Sequence, residues 1–426
     1  MANPKNAAKS LARRILFAAE RFGELELANH AAAGAYSFLL SATPAALLVL
    51  GLASLALGKT AWAYDGVARI ASQALGPLDA EGVAVAFFER PLGGFAALVG
   101  IVGLIWAARL FVVTIQRGIR VIWALSGKNA PVKENLLSFA LELLGLVSAV
   151  AILAGGQIAS AFADLIEPGA GALAAGIVRA AAGSAPAVAL FAFVYGSYRF
   201  VPSTRPSRKI ALLASALCVA SFLAFAGIFG MFMDSARYTL LYGIFGRLIV
   251  LLVNVYTFFS LYYFFVELAY VEQNYDALLF ARFRKTSLAG SPARLERALF
   301  MEPARLLSAY GRELDEGETL FVAGDRGREA YYIHRGRIGI FIPSAGGERA
   351  VGSLGKGEVL GEMAHILDEP RTATARATEK SLVIALPPDM FDLFLRSDAE
   401  ATRHLAAALA ERLRAANARA SGAPPP

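Results

Sequence analysis

The chain has 426 residues, of which 57% are hydrophobic and 18% are charged, and its formal net charge is +7. This apolar fraction is too high for an ordinary soluble protein of such length, so the composition excludes a purely soluble enzyme and indicates a membrane protein with the lipid bilayer as a partner. Basic residues of membrane proteins collect in cytoplasmic loops, and the positive charge therefore does not indicate nucleic-acid binding.

Residues 1–30 combine a basic start with apolar residues at helical spacing, among them Leu11, Ile15 and Phe22. This pattern predicts a cytoplasmic amphipathic helix lying at the membrane interface. A secretory signal would need a short apolar stretch directly after the basic start, so we expect this segment to be retained.

The apolar excess is confined to residues 31–270. About 20 apolar residues cross a bilayer as a helix, and this criterion predicts about six transmembrane helices in an α-helical polytopic bundle. The predicted spans are 31–57, 93–115, 136–162, 181–201, 209–233 and 240–270. The boundaries of the fourth span stay open.

The charges of the loops predict the orientation of this bundle. Basic residues lie after the second, fourth and sixth spans, whereas the intervening loops are poorer in them. The positive-inside rule then places both termini, and with them the last third of the chain, in the cytoplasm. We expect a multi-pass protein of the bacterial inner membrane.

Polar side chains inside the predicted spans are functional candidates because an ionisable group at the bilayer centre costs several kcal/mol unless it is paired or hydrated. They are Arg109, Gln116, Glu142, Arg247, Asn254 and Glu267. The functional interpretations are a polar pathway or a buried ion pair, such as Arg109 with Glu142 or Glu267. The alternatives are a structural interhelical pair of Arg109 with Glu142, and snorkelling of Arg247 and Glu267 to the headgroups.

Four segments of this region carry a family pattern: Ala33–Ser41 followed by Pro44, Trp106–Trp123, Tyr198–Pro202, and Tyr242-Gly243 leading to Glu267-Leu268. Their order and spacing over about 250 residues resemble the YihY/BrkB family of integral membrane proteins, once labelled ribonuclease BN. The chain has four histidines, and none lies in a metal-ligand pattern with nearby acids. We therefore expect no metal and no catalytic activity.

The composition turns charged and polar over residues 271–295, which predicts a cytoplasmic linker with its clearest break at Gly290-Ser291-Pro292. From Thr319 onwards, apolar residues alternate with polar ones between glycine-containing turns, as in β-strands. Residues 296–420 are therefore predicted to form an α+β domain, a β-roll or jelly-roll of eight strands with flanking helices. A disordered tail is expected over residues 421–426.

The stretch from Gly361 to Ala373 offers one carboxylate, Glu362, and one guanidinium, Arg371, nine residues apart among small residues. An arginine fork can pair bidentately with a phosphate, and an ionised glutamate can accept a hydrogen bond from a hydroxyl. A short helix starting near Glu362 would add oriented N–H donors. The stretch therefore predicts a site for a small phosphate ester such as a cyclic nucleotide.

Together with the glycine turns before it, this stretch resembles the phosphate-binding cassette of the cyclic nucleotide-binding domains in cAMP-dependent kinases, bacterial catabolite regulators and nucleotide-gated channels. The binding residues implied by the resemblance are Gly361, Glu362, Met363, Ala364, Arg371, Thr372 and Ala373. Glu362 would hold the ribose and Arg371 the phosphate, with backbone N–H groups completing the cradle. Leu360 and His365 depart from the family pattern, which usually has an aromatic and an aliphatic residue at those positions.

The implied ligand is a cyclic nucleotide, with cyclic AMP favoured and cyclic GMP left open because Thr372 supplies a hydroxyl directly after the arginine. Two functions fit the sequence. The membrane bundle is either a transporter or channel regulated by the nucleotide, or a nucleotide-responsive membrane anchor or envelope scaffold without transport. The transported species and the formation of a homo-oligomer also stay open.

Overall fold

The computed structural model describes residues 4–41, 95–123, 180, 183–202, 204–232, 244–288, 294–300, 304–344 and 347–397, together with 402, 403, 406, 407 and 410. The predicted third span with Glu142 and the predicted tail over 421–426 lie outside these residues. The chain divides into two compact units. The helical unit is Arg14–Gln273, and the C-terminal unit is Met1–Arg13 with Asn274–Pro426.

Helices make up the described part of the chain before residue 274. They are α1 (Pro4–Glu24), α2 (27–41), α3 (Phe95–Ile122), α4 (183–200), α5 (Arg208–Phe232) and α6 (Ile244–Gln273). Helix α1 confirms the helix predicted near the N-terminus, and its residues up to Arg13 group with the C-terminal unit.

Two helices in the described ranges are long and apolar enough to cross a membrane, namely α5 and the part of α6 from Ile249 to Gln273. They coincide with the fifth and sixth predicted spans, whereas the total of six spans stays a prediction. Helix α5 starts at a serine cap, because the Ser207 hydroxyl accepts a hydrogen bond from the Ile210 N–H at 3.3 Å. Its interior contains no proline and no charge beyond the first turn, which lets an apolar helix continue for 25 residues.

Aromatic side chains on α6 form the core of the helical unit. Phe259, Tyr262 and Tyr263 are all at most 1% exposed. The Tyr198 hydroxyl donates to the Tyr262 carbonyl at 2.6 Å, and the Tyr262 hydroxyl donates to the Ser197 hydroxyl at 2.8 Å. Both phenol groups are thus satisfied inside the apolar core, as buried tyrosines need to be.

The C-terminal unit contains short helices around a β-structure. Its helices are α7 (Tyr275–Leu288), α8 (Arg294–Phe300), α9 (Ala304–Tyr310), α10 (Glu362–Ile366) and α11 (Pro388–Ser397). Its strands are β1 (Gly311–Leu314), β2 (Thr319–Phe321), β3 (Ala330–Arg335), β4 (Ile338–Ser344), β5 (Gly347–Leu354), β6 (Val359–Leu360), β7 (Thr374–Ala377) and β8 (Ser381–Leu386).

The eight strands form two antiparallel sheets of four, in the orders β1-β8-β3-β6 and β2-β7-β4-β5. Apolar side chains from both sheets meet between them, including Leu314, Ile333, Ile338 and Val383, each 0% exposed. This arrangement confirms the predicted β-roll with flanking helices. The sheets position the site, because β6 leads into α10 and the chain then returns to β7 through the residues around Arg371.

Candidate functional site

The site begins at a glycine that no other residue could replace without strain. Gly361 follows β6 and caps α10 in the left-handed conformation, with φ 78° and ψ 3°. A side chain here would lie 3.2 Å from the Glu329 carbonyl and would collide with Nη1 of Arg371. Glycine therefore serves both the turn and the close approach of the guanidinium to the backbone.

Arg371 occupies the centre of the site. It is 4% exposed, its Nη1 donates to the Gly361 carbonyl at 2.6 Å, and its Nη2 donates to the Glu329 carbonyl at 2.6 Å. The guanidinium carbon lies 4.3 Å from the ring centroid of Phe321 and 5.7 Å from that of Tyr331. Two carbonyls and two aromatic rings thus hold the cation in place.

Backbone hydrogen bonds fix the chain on either side of this guanidinium. The Arg371 N–H donates to the Asp325 carbonyl at 2.8 Å, and the Gly324 N–H donates to the Arg371 carbonyl at 2.8 Å. These bonds fasten the residues before β7 to the turn after β2. The arginine therefore projects from a rigid backbone, which is what a binding site needs.

The Arg371 guanidinium is a buried cation with acidic groups nearby. Burial lowers the pKa of the Arg371 guanidinium below its ordinary value, and the nearby Tyr331, Glu329, Asp325 and Glu362 act in the opposite direction. Its Nε is buried, and it has no hydrogen-bond partner within the described ranges. A buried cation that donates to neutral carbonyls would form stronger hydrogen bonds with the anionic oxygens of a phosphate, because both partners would then be charged.

Tyr331 belongs to the same group of side chains. Its hydroxyl donates to Oε2 of Glu329 at 2.9 Å. Burial, with this hydrogen bond as the second cause, raises the pKa of Tyr331 to about 12. The phenol is therefore neutral at physiological pH and keeps the Glu329 carboxylate oriented beside the arginine.

The other predicted binding residues lie around α10 and along the segment before β7. Glu362 is the first residue of α10 and is 1% exposed. Ala364 is buried, Met363 and Ala373 are half-buried, and Thr372 is exposed. The carboxylate predicted for the ribose and the guanidinium predicted for the phosphate thus lie in one site, close enough for their charges to interact.

Sequence reasoning missed two parts of this site, the ring of Phe321 beneath the guanidinium and the Glu329 carbonyl. Both approach Arg371 through the pairing of strands that lie far apart in the chain. The only local signal was the apolar alternation of β2 and β3, which indicates buried rings but not the cation that they contact.

The polar side chains that were predicted as functional candidates in the helical unit differ in exposure and in hydrogen bonding. Arg109 is exposed, Gln116 is 4% exposed, and the Asn254 side chain donates to the Val250 carbonyl of its own helix at 2.9 Å. The side chain of Arg247 on α6, like Glu142, lies outside what the structure describes.

Glu267 is the candidate whose partner differs from the sequence-based expectation. It is fully buried and pairs with Arg21 at 2.5 Å. Of the alternatives that the sequence left open for Glu267, the pair with Arg109 and the snorkelling to the headgroups therefore do not describe its environment. The reason is that α1 supplies a guanidinium to the end of α6, which sequence spacing alone does not indicate.

Comparisons with known proteins agree with both domains. Residues 18–287 match the sequence model of the family described as Virulence factor BrkB, and residues 311–398 match that of the cyclic nucleotide-binding domain. The cyclic AMP receptor protein of Thermus thermophilus is 35% identical over 113 residues, 26% of this chain and 52% of that protein. A cAMP-dependent protein kinase regulatory subunit of Mycosarcoma maydis is 38% identical over 66 residues, 16% of this chain and 13% of the subunit.

Among solved structures, the catabolite activator protein of Thermus thermophilus has 30% sequence identity and a TM-score of 0.27, covering 33% of this chain and 62% of that chain. The chain thus spans about half the length of the bacterial receptor and a small part of the kinase subunit. Both resemblances noted in the sequence are confirmed by the family matches, and the BrkB match covers more than half of the chain. The chain therefore belongs to the BrkB family and carries a cyclic nucleotide-binding domain after the family's membrane domain.

Proposed function

We propose that the C-terminal domain binds a cyclic nucleotide and that this binding regulates the membrane domain, which acts as a transporter or channel. The observation that carries the proposal is the buried Arg371 guanidinium, which donates to two backbone carbonyls and has Nε left for a further acceptor. The proposed function is regulated transport, not catalysis.

The residues present fit such a ligand. The guanidinium would pair with the cyclic phosphate, and the buried Glu362 carboxylate would accept from a ribose hydroxyl. The left-handed turn at Gly361 brings backbone close to the same space. We favour cyclic AMP because two relatives carry that nucleotide in their names. Cyclic GMP is the alternative, since the exposed Thr372 offers a hydroxyl beside the arginine.

Nucleotide binding can regulate the membrane domain only if the protein binds the nucleotide more tightly in one state of the transport equilibrium than in the other. A tenfold change in the transport equilibrium requires about 1.4 kcal/mol of differential binding. A phosphate that pairs with Nε and one Nη of Arg371 would displace one of the two backbone carbonyls and so release the backbone on that side of the site. That exchange is a source of differential free energy within the C-terminal unit.

The proposed setting is the inner membrane of a bacterial cell, with the lipid bilayer around the helical unit and both termini in the cytoplasm. The basic loops support this orientation. It would place the nucleotide site in the compartment where cyclic nucleotides are made.

A nucleotide-responsive membrane anchor without transport is the second candidate. The dense aromatic packing around α6 favours it, because a methyl group on Gly34 would lie 2.9 Å from the Phe259 ring and one on Gly118 would collide with Tyr263. Such tight contacts are typical of a packed bundle without a polar path.

The test uses the full chain in lipid nanodiscs, titrated calorimetrically with cyclic AMP and cyclic GMP. We expect saturable binding that Arg371→Lys weakens at least tenfold, because lysine cannot reproduce the planar fork or its stacking on Phe321. Arg328→Ala is the matched control, since Arg328 is an exposed arginine near the site and pairs with Asp368. Absence of binding by the folded chain, or equal binding by Arg371→Lys, would overturn the proposed ligand.

Regulation is tested on the same samples by hydrogen–deuterium exchange. Altered protection in α5 or α6 on adding nucleotide supports regulation of the membrane domain. Unaltered exchange in the helical unit, despite nucleotide binding, would contradict it and favour the anchor.

A further inference from the structure

Glu267 on α6 has one carboxylate oxygen that lacks a partner. Its Oε1 accepts a hydrogen bond from Nε of Arg21 at 2.5 Å, whereas Oε2 is buried and has no hydrogen-bond partner among the residues that the structure describes. The residue as a whole is 0% exposed. Buried polar atoms in proteins are nearly always paired. Oε2 therefore keeps its lone pairs for a further ligand.

The side chains around this carboxylate are aromatic, with a second unpaired polar atom among them. The Arg21 guanidinium lies 4.6 Å from the Tyr270 ring centroid, and the Trp123 ring packs edge-on against the same ring at 5.1 Å. Trp123 is 2% exposed, and in the described part of the chain its Nε1 finds no acceptor. One group of side chains thus contains both an unpaired buried acceptor and an unpaired buried donor.

Two charged groups act on Glu267, and both lie on α1. They are the Arg21 guanidinium and the Glu24 carboxylate. The Arg21 side chain is 18% exposed and Glu24 is exposed, so both can be reached from solvent. A nearby cation favours the ionised form of a carboxyl group, whereas burial and a nearby carboxylate favour the neutral form. Opposing influences of this kind are what a reversible proton acceptor needs.

The ligand that fits Oε2 is a proton and not a metal ion. A cation such as Ca²⁺ takes about six to eight oxygen ligands. Over the described ranges, no group of three or more His, Cys, Asp or Glu side chains could hold a metal. The guanidinium beside Glu267 would also repel a metal ion. A proton needs only one lone pair, because it forms a covalent bond with the oxygen.

We propose that Glu267 is a proton-binding site of the membrane domain, at which proton uptake weakens the pair with Arg21 and so loosens α1 from α6. A proton from water forms an O–H bond at Oε2, the carboxylate becomes a neutral carboxylic acid, and the guanidinium keeps its charge. The ion pair is then reduced to a hydrogen bond between a cation and a neutral oxygen, which is weaker. Glu24 lies one turn from Arg21 on α1 and can balance the freed guanidinium.

This inference assigns a second ligand to a second site and does not depend on nucleotide binding. All measurements are made without nucleotide, so a chain that binds no cyclic nucleotide can still pass or fail the test. The proposed orientation would place this end of α6 at the cytoplasmic surface, from which the proton would come.

Infrared difference spectroscopy of the full chain in nanodiscs tests the site, because the C=O stretch of a protonated carboxylic acid is separate from the bands of ionised carboxylates. Spectra are recorded between about pH 9 and about pH 5, above the range in which most surface carboxyl groups titrate. We expect a carboxylic acid band that grows reversibly as the pH falls and that Glu267→Gln lacks. Glu272→Gln is the matched control, since the Arg14–Glu272 side chains are 27% and 36% exposed, and it should keep the band.

Arg21→Gln tests the competition with the guanidinium. Its acid band should appear about 1 to 3 pH units higher than in the parent protein, because the opposite charge that favours the ionised carboxylate is gone. Glu24→Gln, which leaves the ion pair intact, should move the band to lower pH by a smaller amount. Arg14→Gln should leave it in place.

Hydrogen–deuterium exchange at one fixed pH tests the loosening of α1. Glu267→Gln imitates the neutral acid, so residues 14–24 should exchange faster in this variant than in the parent protein, and Glu272→Gln should not have this effect. Equal exchange in Glu267→Gln and the parent protein overturns the link to α1. The proton site itself is overturned by a band that does not change with pH, by the same pH-dependent band in Glu267→Gln, or by the absence of any such band.

Discussion

Arg21 and the fully buried Glu267 form an ion pair although they lie 246 residues apart in the sequence. The Arg21 Nε is 2.5 Å from Oε1 of Glu267, and the same guanidinium lies 4.6 Å from the ring centroid of Tyr270. Within the helical unit, α1 is thus attached to the end of α6 through one cation that contacts both an acid and an aromatic ring.

Breaking this pair should be more damaging than breaking the more accessible Arg14–Glu272 pair nearby. We expect Arg21→Ala to destabilise the protein by about 3 to 5 kcal/mol, because Glu267 would remain as an uncompensated buried charge. Arg14→Ala is the matched control, since the side chains of the Arg14–Glu272 pair are 27% and 36% exposed, and it should cost about 0 to 1 kcal/mol. Thermal unfolding of the full chain in one detergent measures both, and equal losses would contradict the burial argument.

Gly118 on α3 allows the Tyr263 ring of α6 to pack against the helix backbone. A methyl group there would collide with the ring, so we expect Gly118→Ala to destabilise by about 1 to 3 kcal/mol through overpacking. A methyl group at Gly227 of α5 would meet nothing within 4 Å. Gly227→Ala should therefore be neutral or stabilise the protein by up to about 1 kcal/mol through helix propensity. The same unfolding assay compares the two, and a stable Gly118→Ala would show that α3 and α6 can separate at no cost.

Local patterns predicted the individual strands of the β-roll and the position of α10, because strand alternation and the turn into a helix depend on neighbours in the chain. Strand alternation buries Ile333 and Val383, and Gly361 turns the chain into α10 with a conformation only glycine adopts readily. The charges of Glu362 and Arg371 were recognisable for the same reason, since one short loop carries both.

Contacts between distant segments could not be predicted in this way. The ring of Phe321 reaches Arg371 only because β2 pairs with β7, and the Glu267 partner comes from a helix near the start of the chain. In each case the sequence singles out a charged side chain, but the partner of that side chain depends on tertiary packing, which residue spacing does not encode.

His334 should make the stability of the C-terminal unit depend on pH. Burial, followed by the positive charges of Lys356 and Arg335, lowers the pKa of His334 below its ordinary value. The unfolded chain then binds a proton at a higher pH than the folded chain. The folded state therefore has its full stability above about pH 6.5. It loses stability as the pH falls through the lower pKa that His334 has in the folded state.

Thermal unfolding between pH 7.5 and pH 5.5 tests this dependence. We expect the fall in unfolding temperature over this range to be smaller in His334→Gln than in the parent protein, since glutamine takes up no proton and keeps a polar side chain beside Phe283. An unchanged pH dependence in the variant would exclude His334 as a source of the effect.

Gly361 should be needed for both folding and binding. Alanine at this position would adopt φ 78° at a cost of about 1 to 3 kcal/mol, and its methyl group would displace the guanidinium of Arg371. We therefore expect Gly361→Ala to lower stability and to weaken cyclic AMP binding at least tenfold. Gly352→Ala on β5, where nothing lies within 4 Å, should change neither by more than a small amount. Calorimetry beside thermal unfolding separates the two effects, and a Gly361→Ala variant that unfolds earlier yet binds normally would show that the position of Arg371 does not depend on this turn.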